Sequence, residues 1–227
     1  GFEVHVYHLL PGMNALAAVA VCGALWPVAV GRAQPGPHTE QMRLPGAGVV
    51  TAYVPAGPPQ QGVLFLSGDG GWNLGVVPMA ERLTREGALV VGIDVREFAK
   101  TLNASKSCAY PAGVLEEVSR AVQARLKLPE YVRPIVAGYS SGATLAYAAI
   151  AAAPQETFAG AISLGFCPDV ELQVPLCQMR GLRSTKRAKG VSYDLAPFGS
   201  LAVPWMVLQG EQDQVCAPAQ TRTFTAA

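Results

Sequence analysis

The chain has 227 residues, half of them hydrophobic and 15% charged, which fits one sizeable core behind a leader and argues against two domains. Seventeen basic residues against sixteen acidic ones leave a formal charge of +1, so nothing global favours nucleic acid as a partner. Small-molecule or lipid chemistry is the expectation that remains.

The first predicted element is residues 13–33 (MNALAAVAVCGALWPVAVGRA), apolar for most of its length and ending in small residues, Gly31 and Ala33, suited to a cut before Gln34. We read 1–33 as a secretory leader, with Met13 as the candidate start and GFEVHVYHLLPG as upstream sequence. Pro27 and Arg32 break the run of about 20 apolar residues that a membrane anchor needs, and Val21 stands where a lipoprotein site at Cys22 calls for a small residue. Residues 34–45, rich in Pro, Gly and polar groups, read as a linker, and 46–227 as the folded domain.

From there, short apolar runs alternate with helical patterns, which predicts an α/β fold with a mostly parallel sheet covered on both faces. Strands are predicted over 48–55, 63–68, 89–95, 134–140, 159–165 and 204–210, and helices over 76–85, 112–127 and 142–153. In the second helix Val114, Val118, Val122 and Leu126 recur on one face and Glu116 precedes Arg120 by four. The third, GATLAYAAIAAA, is small and apolar all round, as a buried central helix must be.

Two loops in this order carry chemistry. After the run VLFL comes Ser67-Gly68-Asp69-Gly70-Gly71-Trp72, without the Lys-Ser/Thr ending of a phosphate-binding P-loop. Its backbone can approach a substrate carbonyl, with the Asp69 N–H as first oxyanion donor and Gly70 next. Gly138-Tyr139-Ser140-Ser141-Gly142 then falls where a buried strand turns into a buried helix. That setting, more than the G-x-S-x-G letters, marks Ser140 as a nucleophile and the Ser141 N–H as the other oxyanion donor. The bland alternative is a glycine-rich turn whose serine caps the helix.

Cys108, Cys167, Cys177 and Cys216 follow the leader, an even number that suits an oxidising compartment and admits three pairings. The short loop FCPDVELQVPLC favours Cys167 with Cys177, leaving Cys108 with Cys216. No close cysteine pair and no histidine after His38 supports a zinc site, and neither metal nor cofactor is expected.

Strand 204–210 leads into Glu211-Gln212-Asp213, where the Ser, acid, His order of α/β hydrolases places its carboxylate. Asp213 is the predicted acid, ahead of Glu211, Asp169 and Asp194. The histidines, His5, His8 and His38, all precede Ser140, so the base is expected beyond residue 227. A fragment lacking it should turn over little substrate and leave a sheet edge exposed beside 204–210.

Four segments, LSGDGGW (66–72), GYSSGA (138–143), LGFCPDVELQVPLC (164–177) and PWMVLQGEQDQVC (204–216), together resemble the bacterial virulence protein family that includes VirJ and AcvB. The resemblance runs over roughly residues 46–227. It implies a periplasmic α/β hydrolase linked to type IV secretion, with AcvB-like members removing lysine from lysyl-phosphatidylglycerol. It also implies triad roles for Ser140 and Asp213. For such a substrate, Asp69, Asp169 and Glu171 are candidate ammonium partners and Trp72 and Tyr139 candidate substrate contacts. The basic run Arg180, Arg183, Lys186, Arg187 and Lys189 is a candidate for peripheral contact with anionic lipid. The competing function is a noncatalytic periplasmic adaptor that binds secretion substrates or machinery.

Overall fold

The computed structural model describes residues 2–7, 36–73 and 75–227. The segment 13–33 read as a leader, the cut expected before Gln34, and His8 lie outside them. Strands β1 (Phe2–Tyr7), β2 (His38–Leu44), β3 (Gly48–Val54), β4 (Gln61–Leu66), β5 (Ala88–Ile93), β6 (Pro134–Tyr139) and β7 (Gly160–Leu164) belong to the main sheet. Three short strands, β8 (Asp169–Glu171), β9 (Ser184–Lys186) and β10 (Ser192–Leu195), form a small separate sheet, and β11 (Trp205–Gly210) returns to the main one. Five helices are described: α1 (Val77–Arg85), α2 (Val95–Asn103), α3 (Pro111–Arg125), α4 (Ser141–Ala152) and α5 (Pro218–Thr225).

The eight-stranded order is β1-β11-β7-β6-β4-β5-β3-β2. Neighbours from β5 through β4, β6 and β7 to β11 are parallel, whereas β3 runs antiparallel to β5 and β2 antiparallel to β3. From β2 to β11 this is the strand order of the α/β-hydrolase fold, with β1 added antiparallel at the edge, and the sheet is mostly parallel, as the alternating pattern predicted. Strands buried on both faces explain it. In β4, Leu64 and Leu66 join the larger core with α2, α3 and α4, while Val63 and Phe65 join the smaller core under α1. Helix α4 is buried throughout because its alanines let it lie close against β6 and β7, and Tyr147 supplies the bulk.

Three expectations need correction. Residues 38–44 are not linker but the strand β2, paired over its whole length with β3, so the sheet begins before residue 46. Its polar composition is that of an edge strand: Met42 is its one fully buried residue. The edge beside 204–210 is not open, because Phe2–Tyr7 pairs antiparallel along all of β11. The disulfides are Cys108–Cys177 and Cys167–Cys216, each with Cα atoms 4.9 Å apart. The chain around Cys108 runs beside residues 175–177, with Ala109 N–H donating to Pro175 O and Cys177 N–H to Ala109 O, which takes Cys177 away from Cys167.

Candidate active site

Strand β6 stops at Tyr139 and α4 starts at Ser141, so Ser140 alone makes the turn, with φ 54° and ψ −121°. A side chain costs of order 1–3 kcal/mol in such backbone, which persists only where the surroundings impose it. They do so here through close backbone approach. A Cβ on Gly138 would lie 2.0 Å from Gly142 O, and one on Gly142 2.4 Å from Ser67 O. Ser140 N–H donates to Leu164 O (2.8 Å) and Ser140 O accepts from Ala143 N–H (2.8 Å), which pins the turn to β7 and to its own helix. Ser140 thus stands at the carboxyl edge of the sheet, over the N-terminus of α4, where the Ser141 N–H has no intrahelical partner and the helix dipole favours negative charge.

The glycine-rich loop leaves β4 beside this turn, so close that a Cβ on Gly68 would be 3.2 Å from that of Ser140. Buried Ser67 fixes its start, its hydroxyl donating to Gly68 O (3.1 Å) and accepting from Val95 N–H (3.0 Å). Asp94 fixes its end: the carboxylate accepts from Trp72 N–H at 3.4 Å while capping α2 through Arg96 N–H at 2.9 Å. The Arg96 guanidinium, 2.6 Å from that carboxylate, holds its pKa below the ordinary range. Sequence reasoning passed over Asp94, although an Asp closing an apolar strand run is a helix-cap signal.

Two cavities meet at Ser140. The smaller, about 200 Å³, is lined by Gly68, Asp69, Gly70, Asn73, Tyr139 and Ser140 among others. The larger, about 530 Å³, is lined by Asp69, Ser140, Ser141, Asp169, Glu171 and Arg187 among others. Arg96 also lines it but is paired with Asp94, and Arg187 is held by Asp169 (3.1 Å) and Asp194 (2.6 Å). Asp69 and Glu171 are the lining carboxylates with no ion pair within 4.0 Å among the described residues, although Glu171 also acts on Arg187 at longer range. Trp72, a candidate substrate contact, lines neither cavity. Its indole is turned under the sheet, packing edge-on to Phe65, donating to Tyr53 OH at 3.0 Å and lying against the bare backbone of Gly92.

Asp213 follows β11, two strands from β6 across β7, with its carboxylate against Gly165 at the end of β7. Three donors hold it: Val215 N–H and Cys216 N–H on Oδ1, both 2.9 Å, and the Gln209 amide on Oδ2 at 3.0 Å. Asp169 and Asp194, the earlier alternatives, are spent on Arg187. His38 lies at the opposite edge of the sheet on β2, bonded to Gly36 O and Glu40, far from Ser140. His5 falls in β1 opposite Val207, in mid-strand and not at the carboxyl edge. The arrangement is thus a strained serine at a helix N-terminus, a glycine-rich loop beside it and a carboxylate held by three donors.

A family model described as bacterial virulence protein (VirJ) matches residues 61–226. No curated protein matches the chain. Among solved structures it is similar to a lipase in its open form, at 19% identity and TM-score 0.41 over 59% of this chain and 45% of that one. It is similar to Est1E from Butyrivibrio proteoclasticus at 17% identity and TM-score 0.38, over 56% of this chain and 50% of the other. The Francisella virulence factor BioJ matches at 15% identity and TM-score 0.42, over 62% and 47%. The chain spans about half the length of each of these three structures.

Proposed function

Because this chain belongs to the bacterial virulence protein (VirJ) family, we propose that it carries the nucleophile and acid of a periplasmic serine hydrolase that cleaves an ester of an aminoacylated phospholipid. The observation that carries the reading is Ser140 itself, held at positive φ between two glycines that admit no side chain, beside a cavity lined in part by Asp69 and Glu171. In the proposed reaction Ser140 Oγ attacks the ester carbonyl, and the Ser141 and Asp69 N–H groups receive the oxyanion. A general base takes the Ser140 proton and passes it to the leaving alcohol half, and Asp213 is the carboxylate that would orient an imidazole in that role; water then releases the amino acid from the acyl-serine.

Asp69 and Glu171 suit the ammonium group of a lysyl ester. Of the basic run, Arg187 is engaged by acids and Arg183 by backbone carbonyls, which leaves exposed Arg180, Lys186 and Lys189 for anionic headgroups. Two disulfides support an oxidising compartment. Among the described residues no helix is long and apolar enough to cross a membrane. Service to type IV secretion, with its substrates as partners, completes the proposal.

A fluorophosphonate probe applied to the full-length protein tests the core of this reading. Labelling is expected on Ser140 and is lost in Ser140→Ala; undiminished labelling of that variant moves the nucleophile elsewhere. No labelling of the folded wild type favours the adaptor role.

A further inference from the structure

Gln209 is the penultimate residue of β11, a buried amide only 2% exposed in a sheet otherwise lined there by apolar side chains. A buried amide costs stability unless all its hydrogen-bonding groups are used. Here its oxygen accepts from Phe166 N–H at 2.9 Å, and its NH₂ donates both to Cys216 O at 2.8 Å and to Asp213 Oδ2 at 3.0 Å. The partners fix the orientation of the amide, because Phe166 N–H can only donate and the other two oxygens can only accept. Glutamate would offer no donor to either oxygen, and asparagine is one methylene too short to span them.

The contacts close into a ring. Phe166 is followed by Cys167, which is bridged to Cys216; the backbone of Cys216 receives the Gln209 amide through its oxygen and gives its N–H to Asp213 Oδ1. One branch reaches the nucleophile. Cys167 O accepts from Thr144 Oγ1 at 2.7 Å, and Thr144 N–H donates to Ser140 O at 3.3 Å. A carboxylate has about four lone-pair sites, of which three are taken here by Val215, Cys216 and Gln209. One direction is left for an incoming imidazole N–H.

We infer that Gln209, acting with the Cys167–Cys216 bridge, is a positioning residue that sets the Asp213 carboxylate in register with Ser140. The inference rests on the reading of Asp213 as triad acid. Gln209 touches neither substrate nor reacting atoms, so its effect must pass through Asp213.

A double-mutant cycle in the full-length protein tests this, reading hydrolysis of p-nitrophenyl butyrate and the rate of fluorophosphonate labelling. Gln209→Met keeps length and removes the donors; it is expected to lower kcat about tenfold or more with KM within about twofold. Added to Asp213→Asn it should lower kcat no further. Full multiplication of the two losses, or unchanged kcat in Gln209→Met, overturns the inference. Should Gln209→Met lose its cooperative melt, Cys167→Ala/Cys216→Ala in the same cycle replaces it, with the same non-additivity expected and additivity again the overturning result. Ser140→Ala separates the two levels: full activity there removes the enzymatic reading and this inference with it. Loss in Ser140→Ala beside an unaffected Gln209→Met removes the inference alone.

Discussion

At the scale of single residues, Asp94 shows how a group distant in sequence supports the loop that faces Ser140. Its carboxylate caps α2 and holds Trp72 N–H, and its pKa lies below the ordinary 3.8 because the Arg96 guanidinium bonds to the ionised form. A carboxyl with depressed folded-state pKa contributes its stability in full above the unfolded value and loses it as pH falls through the folded one. Asp94→Ala is therefore expected to cost about 1 kcal/mol at pH 7, with the gap to wild type closing below pH 3.8, as urea unfolding at the two pH values would show. The strand-to-helix turn at Ser140 and the loop that carries Asp213 were legible in the sequence because their signals are local: glycines two places away on either side, and an acid just after a strand run. Asp94 and Gln209 were not, since each matters only through partners that folding brings together. The placement of Trp72 was hidden for the same reason, because the face its indole takes is settled by Tyr53 and Gly92 and not by its neighbours in the chain.

At the scale of elements, the junction of β6 and α4 is where packing and chemistry share one set of atoms. Gly142→Ala places a methyl against Ser67 O and Leu66 O, at 2.4 and 2.6 Å, so β4 and α4 must part. A loss of about 3 kcal/mol is expected, measurable as a lower urea midpoint, together with slower Ser140 labelling in the fraction that stays folded. The parallel strands and α1, α3 and α4 were legible because burial on both faces or on one stripe writes itself into the residue pattern. Strand β2 was hidden by its exposure: with only Met42 fully inside, its sequence HTEQMRL carries almost no alternation. The small sheet of β8, β9 and β10 has strands of three or four residues, too short for any period to show.

At the scale of the molecule, the two bridges do different work. Cys108–Cys177 and Cys167–Cys216 close loops of 69 and 49 residues, each worth about 4 kcal/mol in the chain-entropy treatment. Only the second adjoins the Asp213 loop. Cys108→Ser/Cys177→Ser is thus expected to lower stability by about 4 kcal/mol in urea unfolding while leaving the Ser140 labelling rate of the folded protein unchanged. The pairing escaped the sequence because loop length alone favoured the nearest partner, whereas the fold lays Cys108 beside Cys177 and the end of β7 beside Cys216. The pairing of Phe2–Tyr7 with β11 carries one consequence more. It cannot coexist with a cut before Gln34 that releases the leader. A molecule cut there would lack the strand that pairs along Trp205–Gly210. With Phe2–Tyr7 gone, β11 would be the edge strand, and its free backbone groups would invite pairing with another strand.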